Sequence, residues 1–119
     1  QEVTNTYVNL VPSGVNFATS NYDTTQLSYY ENKDGYKSHT DVSQHTALTW
    51  IYKEPKKFEG GDLIFTQSNV KVDCIYNRTV LFPSWYYHAV TQIKMKDEDL
   101  NKGLGRWAIT HFINFKKQK

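Results

Sequence analysis

The sequence predicts one mainly β domain with few or no helices, of the sandwich or barrel kind. Three observations carry this. Aromatic residues make up 15% of the chain, threonine and valine are frequent and alanine is scarce, a composition that suits pleated, half-buried surfaces. Eight short runs of strand type recur along the chain. Between many of them stand the glycines and prolines that turns require.

The strands are expected near 3–10, 25–30, 46–53, 62–65, 70–75, 79–82, 88–94 and 106–115. The turns are Asn32-Lys33-Asp34-Gly35, Glu54-Pro55-Lys56-Lys57, Glu59-Gly60-Gly61 and Lys102-Gly103-Leu104-Gly105. Only Met95 to Lys102 has some helical composition, and it is short and charged enough to read as a loop. There are no repeats, low-complexity tracts or linkers, so residues 1–119 form a single domain. Along the third strand Leu48, Trp50 and Tyr52 share one face and Ala47, Thr49 and Ile51 the other. Along the last, Trp107, Ile109, His111 and Ile113 oppose Arg106, Ala108, Thr110 and Phe112. Both strands are apolar on both sides, which demands a further layer that the chain offers no helix to supply.

The bulk numbers exclude several roles. A net charge of +2 is too small to argue for nucleic acid or an anionic membrane as partner. Lys116, Lys117 and Lys119 read as a solvated tail. Cys74 is the single cysteine, so neither an internal disulfide nor a thiolate metal cluster is available, which suits a reducing compartment such as the cytoplasm. No apolar run approaches the roughly 18 residues of a membrane helix, and no signal-like segment is present. Asn77-Arg78-Thr79 matches the glycosylation triplet by chance. Gln1 reads as a processed or trimmed end.

His39-Thr40-Asp41 puts an imidazole and a carboxylate at i and i+2, on the same side of an extended backbone. His88, directly after Pro83-Ser84-Trp85-Tyr86-Tyr87, is the natural third ligand. Two neutral imidazoles and one carboxylate on one face leave positions open, as non-haem Fe(II) requires. Taken alone the triplet also fits chance, and a histidine before a strand fits a satisfied surface or core residue. His45 lies beyond a turn, and His111 falls on the strand face opposite Arg106.

Arg106 stands inside an otherwise apolar strand. Such a cation is costly unless a carboxylate partners it, and its fork takes a carboxylate bidentately. Thr110, four positions on along the same face, can add a hydrogen bond. The alternative is an arginine at the strand mouth reaching solvent past Gly105.

Together these features resemble the prolyl 4-hydroxylase type of Fe(II)- and 2-oxoglutarate-dependent dioxygenase, including its small microbial and viral members. The matching segments run in order. They are Tyr29 ahead of Gly35-Tyr36-Lys37-Ser38-His39-Thr40-Asp41; Ala47-Leu48-Thr49-Trp50-Ile51-Tyr52; Phe58-Glu59-Gly60-Gly61-Asp62-Leu63; Val80-Leu81-Phe82-Pro83; His88-Ala89-Val90; and Arg106 through Phe112. The resemblance implies a double-stranded β-helix, a cupin-like jelly roll, with iron held at one mouth by His39, Asp41 and His88. It implies that Arg106 grips the distal carboxylate of 2-oxoglutarate with Tyr29 and Thr110. Ile51, Leu63 and Phe112 would line the co-substrate slot, positions that equally suit ordinary core residues. It implies hydroxylation of a C–H bond with O2, releasing succinate and CO2 and needing no protein acid or base beyond the metal ligands. The expected substrate is a prolyl residue in a peptide or protein. Trp85, Tyr86 and Tyr87 would either contact that substrate or cap the barrel. A cytoplasmic protein, virus-encoded and acting in its host, fits this picture.

Two departures stand out. The His88-to-Arg106 spacing is longer than usual, the excess lying in the charged loop 94–102. The helices that normally precede the barrel are also absent. That matches the missing layer over Trp50, Tyr52, Trp107 and Ile113, and points to a trimmed or minimal core, or to self-association through the outer face. Related nucleic-acid demethylases carry a second arginine six positions after the first, where this chain has Phe112. A small-molecule hydroxylase and a non-catalytic barrel used for recognition are the remaining rivals.

Overall fold

In the computed structural model, which describes Phe17 and residues 19–116, ten strands follow one another with one 3-10 turn, Asp97–Asp99. They are β1 (Tyr22–Tyr30), β2 (Tyr36–His39), β3 (His45–Ile51), β4 (Phe58–Glu59), β5 (Leu63–Phe65), β6 (Val70–Val72), β7 (Thr79–Pro83), β8 (His88–Val90), β9 (Lys94–Met95) and β10 (Arg106–Asn114). The larger sheet has the order β1-β10-β3-β7, the smaller β2-β8-β5-β6, and β4 pairs with β9. All pairs are antiparallel. The chain thus crosses repeatedly between two facing four-stranded sheets, β5 and β6 alone of those strands following one another in the same sheet, which is the jelly-roll, double-stranded β-helix architecture.

The expected strand 3–10 lies outside the described residues. The others are present with shifted ends. The run expected at 25–30 begins at Tyr22, and the run 88–94 is broken into β8 and β9. The loop expected from Met95 to Lys102 tightens into the 3-10 turn. Among the described residues no helix is long and apolar enough to cross a membrane.

Alternation decides what each sheet encloses. In the larger sheet the inward face carries Leu48 and Trp50 from β3, Phe82 from β7 and Ala108 from β10, all in the buried core. Leu63 faces them from the smaller sheet, and Phe65 and Phe82 meet edge to face at 5.1 Å. Phe58, Cys74 and Ile93 complete the cluster from the short strands and loops. The outward face is apolar as well: Leu27 and Ile51 are exposed there, and Leu81, Ile109 and Ile113 half-buried. This corrects the expectation for two residues. Trp50 is 0% exposed and faces inward, while Tyr52 packs edge to face on Phe58 and its hydroxyl accepts from the Tyr76 N–H at 2.9 Å. Among the described residues the outward apolar face is therefore Leu27, Ile51, Leu81, Trp107, Ile109 and Ile113, not the Trp50 face.

Candidate metal and co-substrate site

Strand pairing brings the two distant histidines together. β2 and β8 are neighbours, and His39 and His88 stand directly opposite each other. The register shifts between that pair and the pair Tyr36–Val90, an irregularity of the kind that re-aims a side chain. The imidazole centroids are 4.3 Å apart. Asp41 follows two residues after His39, and its N–H donates to the Ser84 carbonyl at 2.9 Å, tying the segment after β2 to the end of β7. The Asp41 carboxylate lies 3.5 Å from His39 Nε2 and 3.4 Å from His88 Nε2.

Both rings are fixed in the same way. His39 Nδ1 meets the Lys37 carbonyl and His88 Nδ1 the Tyr86 carbonyl, each at 2.7 Å. A carbonyl only accepts, so each Nδ1 carries the proton and each Nε2 faces the carboxylate as a potential ligand. One ligand atom from each of the three residues falls within 4.8 Å of the others. Imidazole binds first-row divalent ions at about 2.1 Å, so ligands at right angles sit about 3 Å apart. The spacing and the donor set of two imidazoles and one carboxylate fit such an ion, and match the facial arrangement used for Fe(II). Burial would raise the Asp41 pKa, but hydrogen bonds from His88 and Thr46 hold it below the ordinary carboxylate value. Burial would lower that of His88, but Asp41 and the Tyr86 carbonyl bring it above the ordinary imidazole value.

The metal triad opens on a cavity of ≈ 700 Å³ that also holds Arg106. Arg106 opens β10 and is 2% exposed. Its Nε donates to the Gly61 carbonyl at 2.8 Å, and its guanidinium lies over the rings of Tyr30 (5.1 Å) and Trp50 (5.8 Å). Burial lowers its pKa, although a guanidinium stays charged at any physiological pH. Among the described residues no carboxylate reaches ion-pair distance of it. Gly61 is required for this approach: its φ is +75°, and a Cβ there would stand 2.7 Å from Arg106 Cδ. Cys74 lies beside the guanidinium, and burial pushes its thiol pKa up, so it stays protonated and inert.

Of the other expected site residues, Leu63, Thr110 and Phe112 line the cavity. Two expectations are corrected. Tyr29 lies on the outer face, its hydroxyl donating to Glu31 Oε2 at 2.6 Å and accepting from the Gly105 N–H at 3.0 Å, with its ring against Trp107. Its neighbour Tyr30, paired with Arg106, lines the cavity instead. Ile51 is 37% exposed on the outer face, because Leu48 and Trp50 take the inward positions of β3. Trp85 and Tyr87 are exposed, and Tyr86 packs against Phe65 and Trp85; none of the three lines the cavity. His45 is buried against Phe17, and His111 meets Asp23 and Thr25 outside the barrel. Sequence reasoning missed Tyr30, Tyr36, whose ring lies 4.1 Å from that of His39, and Thr46, whose hydroxyl donates to Asp41. Tyr30 shares its strand face with Thr24, Gln26 and Ser28, which also line the cavity, and their polarity gave no sign that this face turns inward.

Residues 25–114 match the sequence model of a family described as the 2OG-Fe(II) oxygenase superfamily. Among solved structures, a Pseudomonas putida prolyl-4-hydroxylase superposes with a TM-score of 0.59 at 19% identity, over 92% of this chain and 62% of that one. This chain thus spans less than two thirds of that hydroxylase. An RmlC-like cupin protein from Desulfovibrio desulfuricans superposes with a TM-score of 0.51 at 6% identity, over 76% of this chain and 71% of that one. At such identities the likeness concerns the fold. No curated protein matches the sequence.

Proposed function

The chain belongs to the 2OG-Fe(II) oxygenase superfamily, and we propose that it hydroxylates a C–H bond of a peptide or protein, at a prolyl residue, consuming 2-oxoglutarate and O2. The observation that carries this reading is the buried Arg106, with no carboxylate at ion-pair distance among the described residues, sharing one cavity with His39, Asp41 and His88. A sealed cation and a cation-binding triad facing the same space suit a dianion that spans them. The prolyl assignment draws on the shared fold with the Pseudomonas putida enzyme.

His39, Asp41 and His88 would hold the iron, their Nε2 and carboxylate atoms already turned together. Bound Fe(II) with 2-oxoglutarate and O2 supplies the oxidising chemistry, one oxygen atom entering the substrate as hydroxyl and the other entering succinate as CO2 leaves. The work of the chain is positioning and electrostatics. Arg106, tied by Gly61 and flanked by Tyr30 and Trp50, would pair with the distal carboxylate, which is worth most where water is excluded. Thr110 lines the same cavity and would add a hydroxyl donor. Leu63 and Phe112, apolar and on opposite sheets, would wall off the carbon chain. Tyr36, exposed beside His39, offers a ring at the mouth for an apolar, ring-shaped residue.

Incubation with Fe(II), 2-oxoglutarate and a proline-containing peptide library tests this. The expected result is succinate formed in step with a gain of one oxygen atom on proline, lost in His88→Ala. Succinate formation that no peptide stimulates would overturn the peptidyl substrate.

A further inference from the structure

Behind the metal triad lies a run of three hydroxyls that the family assignment does not explain. The Thr46 hydroxyl donates to Asp41 Oδ2 at 2.7 Å. Its oxygen also lies 2.8 Å from Ser84 Oγ, which in turn lies 2.7 Å from Ser43 Oγ. Thr46 is 2% and Ser84 0% exposed. Each hydroxyl has one proton to donate. Thr46 spends its proton on a carboxylate that can only accept, so it must accept from Ser84, and Ser84 from Ser43. The direction of every bond is therefore forced, and all three protons point towards Asp41. Successive bonds of one polarity strengthen one another in a low-dielectric interior.

The backbone repeats the grip: the Ser84 carbonyl accepts from the Asp41 N–H, and the Ser84 N–H donates to the Gln44 carbonyl at 3.0 Å. The Asp41-to-Thr46 segment is thus held to the end of β7 by both main chain and side chains. Of the two carboxylate oxygens, Oδ2 accepts from Thr46 and lies 3.4 Å from His88 Nε2, while Oδ1 lies 3.5 Å from His39 Nε2.

We propose that Thr46, fed by Ser84 and Ser43, is the positioning residue that fixes the Asp41 carboxylate for metal binding. The inference rests on the metal reading given above, but concerns affinity and geometry rather than turnover. The hydroxyl is the group Asp41 requires, and threonine suits it because a β-branched side chain is stiff about χ1 and holds the donor at a fixed angle to the strand. Loss of a partner that orients a metal ligand commonly weakens affinity 10- to 100-fold.

The test is anaerobic titration of the full chain with Co(II), read by its visible absorption, for the parent, Thr46→Val, Thr46→Ser, Ser84→Ala and Ser43→Ala. Thr46→Val, which keeps the shape and removes the hydroxyl, is expected to bind about tenfold or more weakly with an altered band. Thr46→Ser should stay close to the parent, because the donor is kept. Ser84→Ala and Ser43→Ala retain the bond to Asp41 and should show smaller losses, Ser84→Ala the larger. Parent-like affinity in Thr46→Val overturns the proposal. If that variant fails to fold, parent-like affinity in both serine variants overturns it. A merely structural role would lower the melting temperature and leave Co(II) affinity and band unmoved. Failure of the parent itself to bind Co(II) would overturn the metal reading, and the inference with it, a result separable from a loss confined to the variants.

Discussion

A guanidinium sealed from water attracts an anion, and Arg106 has none at ion-pair distance among the described residues. Removing one member of a buried charge pair commonly costs about 2–5 kcal/mol of binding. Arg106→Ala is therefore expected to raise the 2-oxoglutarate requirement by well over tenfold while leaving metal affinity near that of the parent; saturation curves for both check it. The two adjacent tyrosines should separate cleanly. Tyr30→Phe is expected to weaken 2-oxoglutarate binding several-fold, whereas Tyr29→Phe should cost about 1 kcal/mol of stability through the Glu31 and Gly105 bonds and leave co-substrate saturation unchanged. At this scale the sequence was partly legible. His39, Asp41 and His88 could be picked out because the i, i+2 spacing and the chemistry of the side chains constrain each other. Tyr29 was mistaken for Tyr30 because one step along a strand reverses the face, and nothing local sets the phase of Tyr29-Tyr30. Thr46 was passed over because a hydroxyl beside a metal ligand has no sequence signature.

Short elements place the site, and they are the least visible in sequence. β2 is Tyr-Lys-Ser-His, mostly exposed, so no apolar alternation announces it, yet it carries His39 into register with His88. β4 and β9 are two residues each and pair with one another, and β4 runs into the turn at Gly60 and Gly61, both at positive φ. That turn delivers the Gly61 carbonyl to Arg106 Nε. Gly61→Ala would force a side chain into positive φ and against Arg106 Cδ. The expected cost is about 1–3 kcal/mol of stability, with a raised 2-oxoglutarate requirement as the guanidinium is displaced. Denaturant unfolding and co-substrate titration of the same variant read the two effects separately. The long strands β3 and β10 were legible as strands, because a run of bulky and β-branched residues between turn signals has few other ways to be buried, though not in which face turns inward.

At the scale of the whole molecule, two sheets enclose a cavity beside their apolar core, and among the described residues one side of the larger sheet is apolar and partly exposed. A sandwich or barrel followed from strand number and turn chemistry, and the jelly roll only from the resemblance carried by the motifs between Tyr29 and Phe112. That β3 and β10 are apolar on both faces was also readable. Which face lacked cover was not readable, because Trp50 and Ile51 are both apolar and only the pairing with β10 and β7 shows that Trp50 is inside. A domain built around an open cavity should be stabilised by whatever fills it. A ligand bound only by the folded state at a hundred times its dissociation constant adds about 2.7 kcal/mol. Fe(II) with 2-oxoglutarate under anaerobic conditions is expected to raise the melting temperature by several degrees or more, and Asp41→Ala should lose that gain.

The central claim, that one cavity holds iron at His39, Asp41 and His88 and 2-oxoglutarate at Arg106, is tested most directly by anaerobic titration of Fe(II) and 2-oxoglutarate into the metal-free protein, followed by visible absorption. The account predicts a metal-to-ligand charge-transfer band that saturates in the parent and is absent in Asp41→Ala. A parent protein that binds no iron and develops no band would contradict it.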